Sequence, residues 1–339
     1  MADAPAPDFD VDETLAARLV ERQHPDLAGP LELVANGWDN AIFRLGDDLA
    51  VRLPRRAVAV PLVVHEQRWL PGLAARLPVA VPAPVRAGRP APELGYDAPW
   101  SIVPWFAGAV AAGIAPGERT GLAPALAAFV DALAVPAPAG APRNPYRGVP
   151  LADRDEVVRA RLDRLASRDA GLGGLGGLGL DVAALREIWR DALDTPEWAG
   201  PPLWVHGDLH GGNLVVEAAG PSGAADAANV RLRAVIDFGD LTAGDPATDL
   251  ATAWLTFDAV GRSAFRREVE RRRSVDEATW RRARAWALVW GGAVVDELGT
   301  GGGGAARDGA DDGADRDDGD AAGPIARLGR FALEQVLAG

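Results

Sequence analysis

The first fifty residues combine one stretch of helical spacing with two strand-like runs. Apolar positions recur every three to four residues over residues 11–24, which predicts an amphipathic helix, and Asp12 is placed to cap its N terminus. Two short apolar runs follow at residues 41–45 and 49–53. The three residues between these runs are Gly, Asp and Asp, so the pattern predicts a β-hairpin.

A second helix and a third strand are predicted before residue 107. Pro61 opens a helical pattern that continues to Leu70, and Pro71 is expected to kink or end it. Residues 100–106, WSIVPWF, form a compact apolar run that is typical of a strand. Gly108 follows, and we expect a hinge there between a strand-rich N-terminal part and a helical remainder.

Helical periodicity dominates beyond residue 120, over residues 122–133, 154–165, 182–193 and 279–298. Two other segments are interpreted as insertions. Residues 171–180 repeat a Gly-Leu unit, and their GxGxxG follows a helical pattern rather than a strand, which favours a flexible loop over a dinucleotide site. Residues 301–323 are rich in Gly and Asp without the EF-hand spacing, so a disordered acidic segment is expected.

Composition narrows the possible functions. A length of 339 residues predicts two packed lobes, and a hydrophobic content of 48% can fill their interiors. The chain has no Cys, which excludes disulfides and thiolate chemistry. Neither a signal-peptide pattern nor an apolar run of about 18 residues is present, so we expect a cytoplasmic protein without a membrane partner.

The charge distribution bears on possible partners. A net charge of -13 argues against a nucleic-acid partner, because phosphate backbones are bound by clustered cations. No protein partner is evident. All 35 basic residues are Arg, a bias that together with the Ala, Gly and Pro content is typical of a high-GC genome.

Two polar clusters follow apolar runs in the second half of the chain. HGDLHGGN places His206, Asp208 and Asn213 in a Gly-rich turn, and VIDFGD delivers Asp237 after a second apolar run. An Asp and an Asn five residues apart, with a second Asp downstream, form the pattern of a kinase catalytic loop. In that pattern the first Asp meets the substrate hydroxyl, while the Asn and the second Asp bind Mg²⁺.

Each cluster alone has a simpler explanation, since an HGD turn can cap a helix and a DFG triplet can occur by chance. The order of the two clusters and the 29 residues from Asp208 to Asp237 argue against coincidence. His206 and His210 form a weak alternative metal pair, because the Gly residues around them disfavour the helix that would align them. We therefore expect His206 to orient the loop backbone and His210 to pack or bond locally.

The two motifs resemble those of the aminoglycoside phosphotransferase family. HGDLHGGN is similar to the family's HGDxxxxN signature, and IDFGD followed by GDPATDLA is similar to its downstream region, with the resemblance spanning about residues 34–298. It implies an α+β, two-lobed protein-kinase-like fold, with an antiparallel-sheet N-lobe (residues 1–104) and a mainly helical C-lobe (residues 105–339). It further implies ATP or GTP as phosphoryl donor, bound Mg²⁺ and a small hydroxylated acceptor.

The resemblance also implies roles for individual residues. Asp208 would be the catalytic base, Asn213 and Asp237 the metal ligands, and Asp249 a buried brace of the catalytic loop, which His206 supports. An ordinary helix N-terminal cap is the alternative for Asp249.

A nucleotide clamp is expected in the N-terminal part. In LAVR, residues 49–52, Ala50 and Arg52 share one face of the strand because side chains alternate. Arg52 stands where kinases have a Lys, and Glu66 in the following helix is its expected partner. In a chain without Lys, Arg is the natural substitute cation and can hold phosphate bidentately. The alternative is a surface ion pair without a ligand.

Two further segments are expected to contact the nucleotide. NGWDN, residues 36–40, precedes the hairpin as the phosphate-covering loop and ends at Asn40. WSIVPWF is expected to line the purine, although a core strand would have the same pattern. Pro104 has no N–H, so a donor to the purine must come from a neighbour such as Trp105 or Phe106.

The acceptor is the least specified part of the prediction. No HRD motif is present and the one APE lies upstream of the catalytic loop, which argues against a protein kinase. Asp240, Asp258 and Glu297 would suit a polycationic aminoglycoside, or they are solvated surface groups. The acceptor is expected at the C-terminal helices around residues 253–258 and 284–290, whose Trp residues suit a macrolide pocket or simple core packing. Three hypotheses stay open: an antibiotic phosphotransferase, a metabolic kinase of the choline, homoserine or sugar type, and a nucleotide-binding pseudokinase.

Overall fold

The computed structural model describes residues 6–171, 179–218, 230–300 and 324–339. Most of the Gly-Leu segment at residues 171–180 lies outside these ranges. All of the acidic segment at residues 301–323 lies outside them as well, so both insertions stay predictions.

Within the described ranges the chain forms ten β-strands and ten α-helices. The strands are β1 (Leu31–Asn36), β2 (Asn40–Leu45), β3 (Leu49–Pro54), β4 (Arg86–Gly88), β5 (Trp100–Pro104), β6 (Ala109–Val110), β7 (Leu203–Val205), β8 (Leu214–Ala218), β9 (Val230–Val235) and β10 (Thr242–Gly244). The helices are α1 (Glu13–Gln23), α2 (Val60–Ala74), α3 (Ala123–Leu133), α4 (Asp155–Gly171), α5 (Val182–Leu193), α6 (Ala247–Leu250), α7 (Thr252–Thr256), α8 (Ala259–Arg272), α9 (Glu277–Thr300) and α10 (Pro324–Ala338).

The N-terminal sheet is antiparallel throughout, with strand order β1-β2-β3-β5-β4. β2 and β3 form the predicted hairpin, in which Leu45 pairs with Leu49. β1 lies at the sheet edge, and most of its side chains are exposed. It therefore lacks the apolar alternation by which a sequence reveals a half-buried strand. The antiparallel sheet and the helices from α3 onward confirm the predicted α+β class.

The first two helices differ in how well they were predicted. Asp12 caps α1 as expected, accepting a hydrogen bond of 2.7 Å from a first-turn N–H. Helix α2 continues through Pro71 and ends three residues later at Ala74, so Pro71 does not end it, and the alternative of a kink stays a prediction. Pro71 lies in the last turn, where the loss of one N–H is offset by the burial of Leu70 and Leu73.

Two hydrophobic clusters fill the described part of the chain. One joins α1 to the buried faces of β2, β3 and β5, and includes Phe43 and Trp100 with no exposed surface. The other fills the helical region from α3 to α10. Leu70 and Leu73 of α2 belong to this second cluster, while α2 also contacts β5. Helix α2 therefore packs against both the sheet region and the helical region.

Two small sheets, β10-β7 and β6-β8-β9, hold the two polar motifs. The HGD turn (residues 206–213) follows β7, and the DFG turn (residues 236–240) follows β9. Helix α9 packs against α4, α5, α6 and α10 beside these turns. Among the described helices, none combines the length and the apolar character needed to cross a membrane.

Candidate active site

A buried carboxylate braces the start of the HGD turn. Asp249 accepts hydrogen bonds from the backbone N–H groups of His206 and Gly207, at 2.7 and 2.9 Å. Two charge-assisted bonds in a buried setting fix the backbone at this point. Gly207 has a φ of 87°, and a Cβ there would lie 2.5 Å from the carbonyl oxygen of Asp240, so glycine is required. Asp249 lies within α6, whose N-cap is Pro246.

His206 links the HGD turn to the DFG turn. Its ring is fully buried, and Nε2 lies 2.9 Å from the carbonyl oxygen of Ile236. Because a carbonyl only accepts, the hydrogen-bond network assigns the proton to Nε2 and leaves Nδ1 to accept the N–H of Asp208 at 3.2 Å. The ring also packs on Phe238, with centroids 4.5 Å apart. These contacts hold the two turns in one relative position.

Four polar side chains surround the carboxylate of Asp208, which is 23% exposed, and two of them donate hydrogen bonds to it. Trp290 Nε1 donates to Oδ1 at 2.8 Å, and Asn213 Nδ2 donates to Oδ2 at 3.1 Å. His210 Nε2 lies 3.3 Å from Oδ2, and Arg147 Nη2 lies 3.9 Å from Oδ1. Burial opposes the charge on Asp208, but the interactions with His210 and Arg147 outweigh it and hold its pKa well below the usual range. The carboxylate is therefore ionised at neutral pH.

Asp237 occupies the centre of the DFG turn, with 57% of its side chain exposed. Its φ of 63° is the one positive value among the described residues other than glycine, and Asp adopts this conformation more readily than most residues. Asn213 approaches from the HGD turn, where its backbone carbonyl accepts the N–H of Ile236 at 2.9 Å. Its Nδ2 is occupied by Asp208, so its amide oxygen is left to accept other contacts.

The donors at this junction suit Mg²⁺ that is bound together with phosphate. A carboxylate and an amide oxygen are hard ligands, and Mg²⁺ is commonly held by one or two protein oxygens, with phosphate and water completing its shell. Within the described ranges, no group of three or more His, Asp or Glu side chains could hold a metal by itself. The residues therefore fit a metal that arrives with a nucleotide.

Arg52 and Glu66 form a buried ion pair between β3 and α2. Arg52 Nη1 lies 3.0 and 2.9 Å from the two carboxylate oxygens of Glu66, and the two side chains are 8% and 2% exposed. Arg52 Nη2 lies 3.9 Å from Oδ1 of Asp237, so the pair reaches the DFG turn. Burial alone would lower the pKa of Arg52, but the charges of Glu66 and Asp237 raise it above its ordinary value. The structure thus places a permanent cation in the core, beside the DFG turn.

The other residues expected at the nucleotide lie on both sides of this pair. Residues 36–40 connect β1 to β2, and the amide oxygen of Asn40 is buried without a hydrogen-bond partner in the described part of the chain. Ala50 is buried on β3, opposite Val103 of β5. Both positions lie on the hairpin that carries Arg52, and their contact with a nucleotide stays a prediction.

The backbone N–H of Trp105, one of the two donors expected at a purine, is already engaged within the protein. It donates to the carbonyl oxygen of Asp48 at 2.7 Å, because the chain beyond β5 stays beside the β2–β3 turn. The N–H of Phe106 makes no hydrogen bond to another described residue. Phe106 is therefore the donor that remains, while the ring of Trp105 packs 5.6 Å from the guanidinium of Arg44.

A family model matches this chain over most of its length. The match covers residues 30–286, and the model describes the APH phosphotransferase enzyme family. The chain belongs to the APH phosphotransferase family. The resemblance inferred from the motifs is confirmed, and membership makes the protein a phosphotransferase of the kinase type. Among curated protein sequences, none matches the chain.

Solved antibiotic phosphotransferases share the fold of this APH-family enzyme. The GDP complex of a mutant aminoglycoside 2'-phosphotransferase IIIa has a TM-score of 0.62 at 18% identity, covering 96% of this chain and 98% of that one. The macrolide 2'-phosphotransferase MphH apoenzyme from Brachybacterium faecium has a TM-score of 0.54 at 22% identity, covering 85% and 93%. The streptomycin-ATP ternary complex of APH(2")-IIa gives 0.52 at 19%, covering 83% and 90%. At these identities the likeness establishes the kinase-like fold alone.

Two side chains at the APH-family site lie outside the motifs. Trp290 falls in the segment 284–290 that was expected to contribute to the acceptor site, whereas Arg147 was missed from sequence. Trp290 lies 82 residues after Asp208 in the chain, and Arg147 belongs to the loop that follows α3, so neither is part of a motif. For Trp290 the available signal was the apolar periodicity of α9, which also fits core packing. For Arg147 there was no signal, because loop residues carry no periodicity.

Two of the three carboxylates considered for a polycationic acceptor, those of Asp240 and Asp258, already have partners within the protein. Asp240 accepts a hydrogen bond from Asn144 Nδ2 at 2.7 Å and pairs with Arg147 at 3.3 Å. Asp258 caps α8 by accepting a first-turn N–H at 2.9 Å. The side chain of Glu297 lies outside the described residues. The structure therefore gives no support to an acidic acceptor site built from Asp240 and Asp258.

Proposed function

We propose that this APH-family enzyme transfers the γ-phosphoryl group of ATP or GTP to a hydroxyl group of a small molecule. The donor nucleotide would bind in the cleft between the N-terminal sheet and the DFG turn. The acceptor would approach Asp208 from its exposed side. In this arrangement the acceptor hydroxyl and the leaving oxygen of the nucleotide would lie on opposite sides of the γ-phosphorus, as in-line phosphoryl transfer requires.

Asp208 is the group proposed to meet the acceptor hydroxyl. Its carboxylate is ionised, and donors at both oxygens fix its direction. A base with a depressed pKa mainly orients the hydroxyl, and it takes the proton as the new O–P bond forms and the bond to the leaving nucleotide breaks. That timing suits phosphoryl transfer, in which the nucleophile needs positioning more than activation.

Asn213 and Asp237 would hold Mg²⁺, which would supply positive charge to neutralise the phosphates. Arg52, oriented by Glu66, is within reach of the same turn and would contact the α- and β-phosphates as a two-pronged donor. Because Arg52 is held by a buried carboxylate, the cation is positioned before the nucleotide arrives.

The remaining nucleotide contacts follow from the strands. We place the purine over Ala50 and against β5, where the N–H of Phe106 is the donor to its edge. Asn40 lies at the end of the phosphate-covering loop, where its unpaired amide oxygen would meet a ribose hydroxyl or a bound water. His206 and Asp249 keep the catalytic loop in place without touching either substrate.

One observation carries the proposal: the three parts of a phosphoryl-transfer site are linked by direct contacts. Arg52 spans from Glu66 to Asp237, and His206 joins the DFG turn to the turn that carries Asp208. A pseudokinase that serves only as a scaffold has no need of this linkage. The intact network therefore favours an active enzyme over a nucleotide-binding scaffold.

Two classes of acceptor are candidates. Aminoglycoside and macrolide antibiotics are the first, because solved enzymes of the same fold are named for them. A metabolic hydroxyl compound of the choline, homoserine or sugar type is the second. The residues proposed to bind the nucleotide and its metal do not distinguish the two classes of acceptor, since they contact the phosphoryl donor.

Release of nucleoside diphosphate tests the proposal. Purified enzyme would be supplied with MgATP or MgGTP and one acceptor at a time: kanamycin, streptomycin, a macrolide, choline, homoserine or a sugar. We expect Mg²⁺-dependent release of ADP or GDP that rises with at least one acceptor. Nucleotide binding without any acceptor-dependent release would contradict the proposal and favour the pseudokinase hypothesis.

A further inference from the structure

Arg147 is a partly buried arginine beside the catalytic carboxylate, and its N–H donors are unused. Nη2 lies 3.9 Å from Asp208 Oδ1, which is beyond hydrogen-bond distance. Nε lies 3.3 Å from Asp240 Oδ2, but this buried atom makes no hydrogen bond, so the contact is an ion pair without hydrogen-bond alignment. In the described part of the chain the guanidinium group therefore has charge partners but no hydrogen-bond acceptor.

Two other buried arginines of the helical region are hydrogen-bonded to the protein. Arg119 donates to three backbone carbonyl oxygens, at 2.9, 3.0 and 3.2 Å. Arg282 donates to the carboxylate of Asp245 and to the carbonyl oxygen of Pro196, both at 2.7 Å. Buried polar groups in folded proteins have such partners as a rule. Arg147 departs from this rule, as expected for a donor group whose acceptor is a ligand.

The loop that carries Arg147 is fastened to the strand after the DFG turn. Thr242 Oγ1 hydrogen-bonds to this loop twice, at 2.8 and 3.0 Å. The carbonyl oxygen of Gly148 accepts the N–H of Asp245 at 3.0 Å. None of these bonds involves the side chain of Arg147. The backbone therefore holds this residue beside the catalytic carboxylate, and substitution of its side chain should leave the loop in place.

Asp240, the ion-pair partner of Arg147, lies where the HGD and DFG turns meet. It ends the DFG turn, and a Cβ on Gly207 of the HGD turn would lie 3.0 Å from its Cβ. Burial raises the pKa of Asp240, and Arg147 opposes this effect. The charges of Asp208 and Asp237 raise the same pKa further, so both turns act on this carboxylate. A phosphoryl group that passes from a metal-bound nucleotide to a hydroxyl at Asp208 would cross this junction.

We infer that Arg147 is a further catalytic residue, whose guanidinium group donates hydrogen bonds to the non-bridging oxygens of the γ-phosphoryl group during transfer. The inference rests on the proposed function and adds a residue to it. As the acceptor oxygen bonds to the γ-phosphorus, Asp208 takes the hydroxyl proton. The leaving nucleoside diphosphate keeps the electron pair of the broken P–O bond. Negative charge is then spread over the non-bridging oxygens, and a planar guanidinium group can stabilise two of them at once.

The two arginines of the site would then have separate tasks. Arg52 lies 3.9 Å from Asp237 and would bind the phosphates that stay with the nucleotide. Arg147 lies 3.9 Å from Asp208 and would bind the phosphoryl group that moves. An interaction made mainly in the transition state raises kcat, whereas one made equally in the bound substrate lowers KM. Loss of Arg147 is therefore expected to act on kcat.

Steady-state kinetics test this division. Arg147→Gln should lower kcat by about 10²- to 10³-fold, with little change in the KM of the nucleotide or of the acceptor. Arg147→Lys keeps the charge without the planar fork and should retain part of the activity. Arg143→Gln is the matched control, because Arg143 is an exposed residue of the same loop. An unchanged kcat, or a loss confined to the KM of the acceptor, would overturn the inference and leave the phosphotransferase proposal intact.

Binding of a transition-state mimic provides a readout that does not need turnover. Aluminium fluoride is a planar anion that stands in for the γ-phosphoryl group beside ADP, and calorimetry would measure the Kd of MgADP with and without it. In wild type we expect aluminium fluoride to tighten binding, and Arg147→Gln should lose about tenfold or more of this gain. Arg147→Gln and Arg143→Gln should both bind MgADP alone as wild type does.

Two outcomes of the binding experiment would overturn the inference. One is an equal gain from aluminium fluoride in wild type and Arg147→Gln, and the other is no gain in wild type. Absence of acceptor-dependent turnover alone counts only against the proposed function.

Discussion

The nucleotide side and the acceptor side of the proposed active site differ in how their charged side chains are paired and buried. On the nucleotide side, Arg52 is paired with Glu66 in the core. On the acceptor side, Arg147 lies 3.9 Å from Asp208 and 3.3 Å from Asp240, and all three side chains are partly exposed. The charged groups of the nucleotide side are therefore held by a buried pair, whereas those of the acceptor side remain accessible to solvent.

This difference shows which part of an enzyme is fixed by its reaction. Phosphoryl transfer demands the same cation, base and metal ligands whatever the acceptor, and these must be rigid to be effective. Acceptor recognition depends on side chains from loops and helix faces, which can change without disturbing the reaction. The predictions below act on one side or the other, in order of expected effect.

The largest effect is expected from removal of the catalytic carboxylate. Asp208→Asn should lower kcat for phosphoryl transfer by about 10²- to 10⁴-fold, because the amide cannot accept the hydroxyl proton. Nucleotide affinity should change little, since Asp208 faces the acceptor side. Steady-state kinetics and nucleotide titration measure the two quantities. Asp47→Asn, at a fully exposed turn residue, is the control. A mutant that retains wild-type kcat would contradict the assignment of the base.

Breaking the buried pair on the nucleotide side should reduce both stability and nucleotide binding. Arg52→Ala leaves Glu66 buried without a partner and is expected to cost about 3–5 kcal/mol in the free energy of unfolding. Arg56→Ala breaks the half-exposed pair with Asp39 and should cost less than about 1 kcal/mol. Denaturant unfolding measures the difference, and equal costs in the two variants would contradict the account.

Arg52 also permits a test that does not depend on unfolding. Arg52→Lys keeps a cation beside Glu66 and should fold, but it loses the second prong directed toward Asp237. The KM for nucleotide should therefore rise with little change in stability. An unchanged KM would remove Arg52 from the nucleotide clamp.

Loss of the exposed metal ligand should weaken nucleotide binding only when Mg²⁺ is present. Asp237→Asn preserves the left-handed backbone, because Asn also adopts positive φ. The Kd for ATP in Mg²⁺ should rise about tenfold or more, equal to ~1.4 kcal/mol or above. In the presence of EDTA, mutant and wild type should bind alike. A similar ratio in both conditions would contradict the metal assignment.

The smallest effect concerns the pH dependence of stability. The folded-state pKa of Asp208 lies below its ordinary value, so the ionised group stabilises the fold above about pH 4 and this stabilisation is lost as the pH falls. The Tm of the wild type relative to that of Asp208→Asn should therefore fall as the pH is lowered from 6 to 3. A difference independent of pH would show that Asp208 gains no stabilisation from its donors.

Sequence reasoning succeeded where chemistry imposes fixed spacing. The HGD and DFG turns, the hairpin and the partnership of Arg52 with Glu66 all follow from local patterns, because each depends on residues a short distance apart or on a strand followed by a helix. The α+β class followed from the same patterns.

The remaining features depend on contacts that no local pattern encodes. Arg147 reaches Asp208 because its loop bonds to a strand about a hundred residues later. Trp290 donates to Asp208 from α9, where its periodicity indicates only burial. The N–H of Trp105 is occupied by Asp48, a backbone contact that the side-chain pattern of a strand does not reveal. Such features require the assembled fold.

Phosphorus NMR of the reaction mixture tests the central claim most directly. The enzyme would be incubated with MgATP and the acceptor that releases most ADP, and the γ-phosphate signal followed with time. The account predicts that this signal is replaced in equal amount by that of a phosphate ester on the acceptor. It also predicts that Asp208→Asn abolishes the ester signal while ATP still binds. Loss of ATP that yields only inorganic phosphate would contradict it.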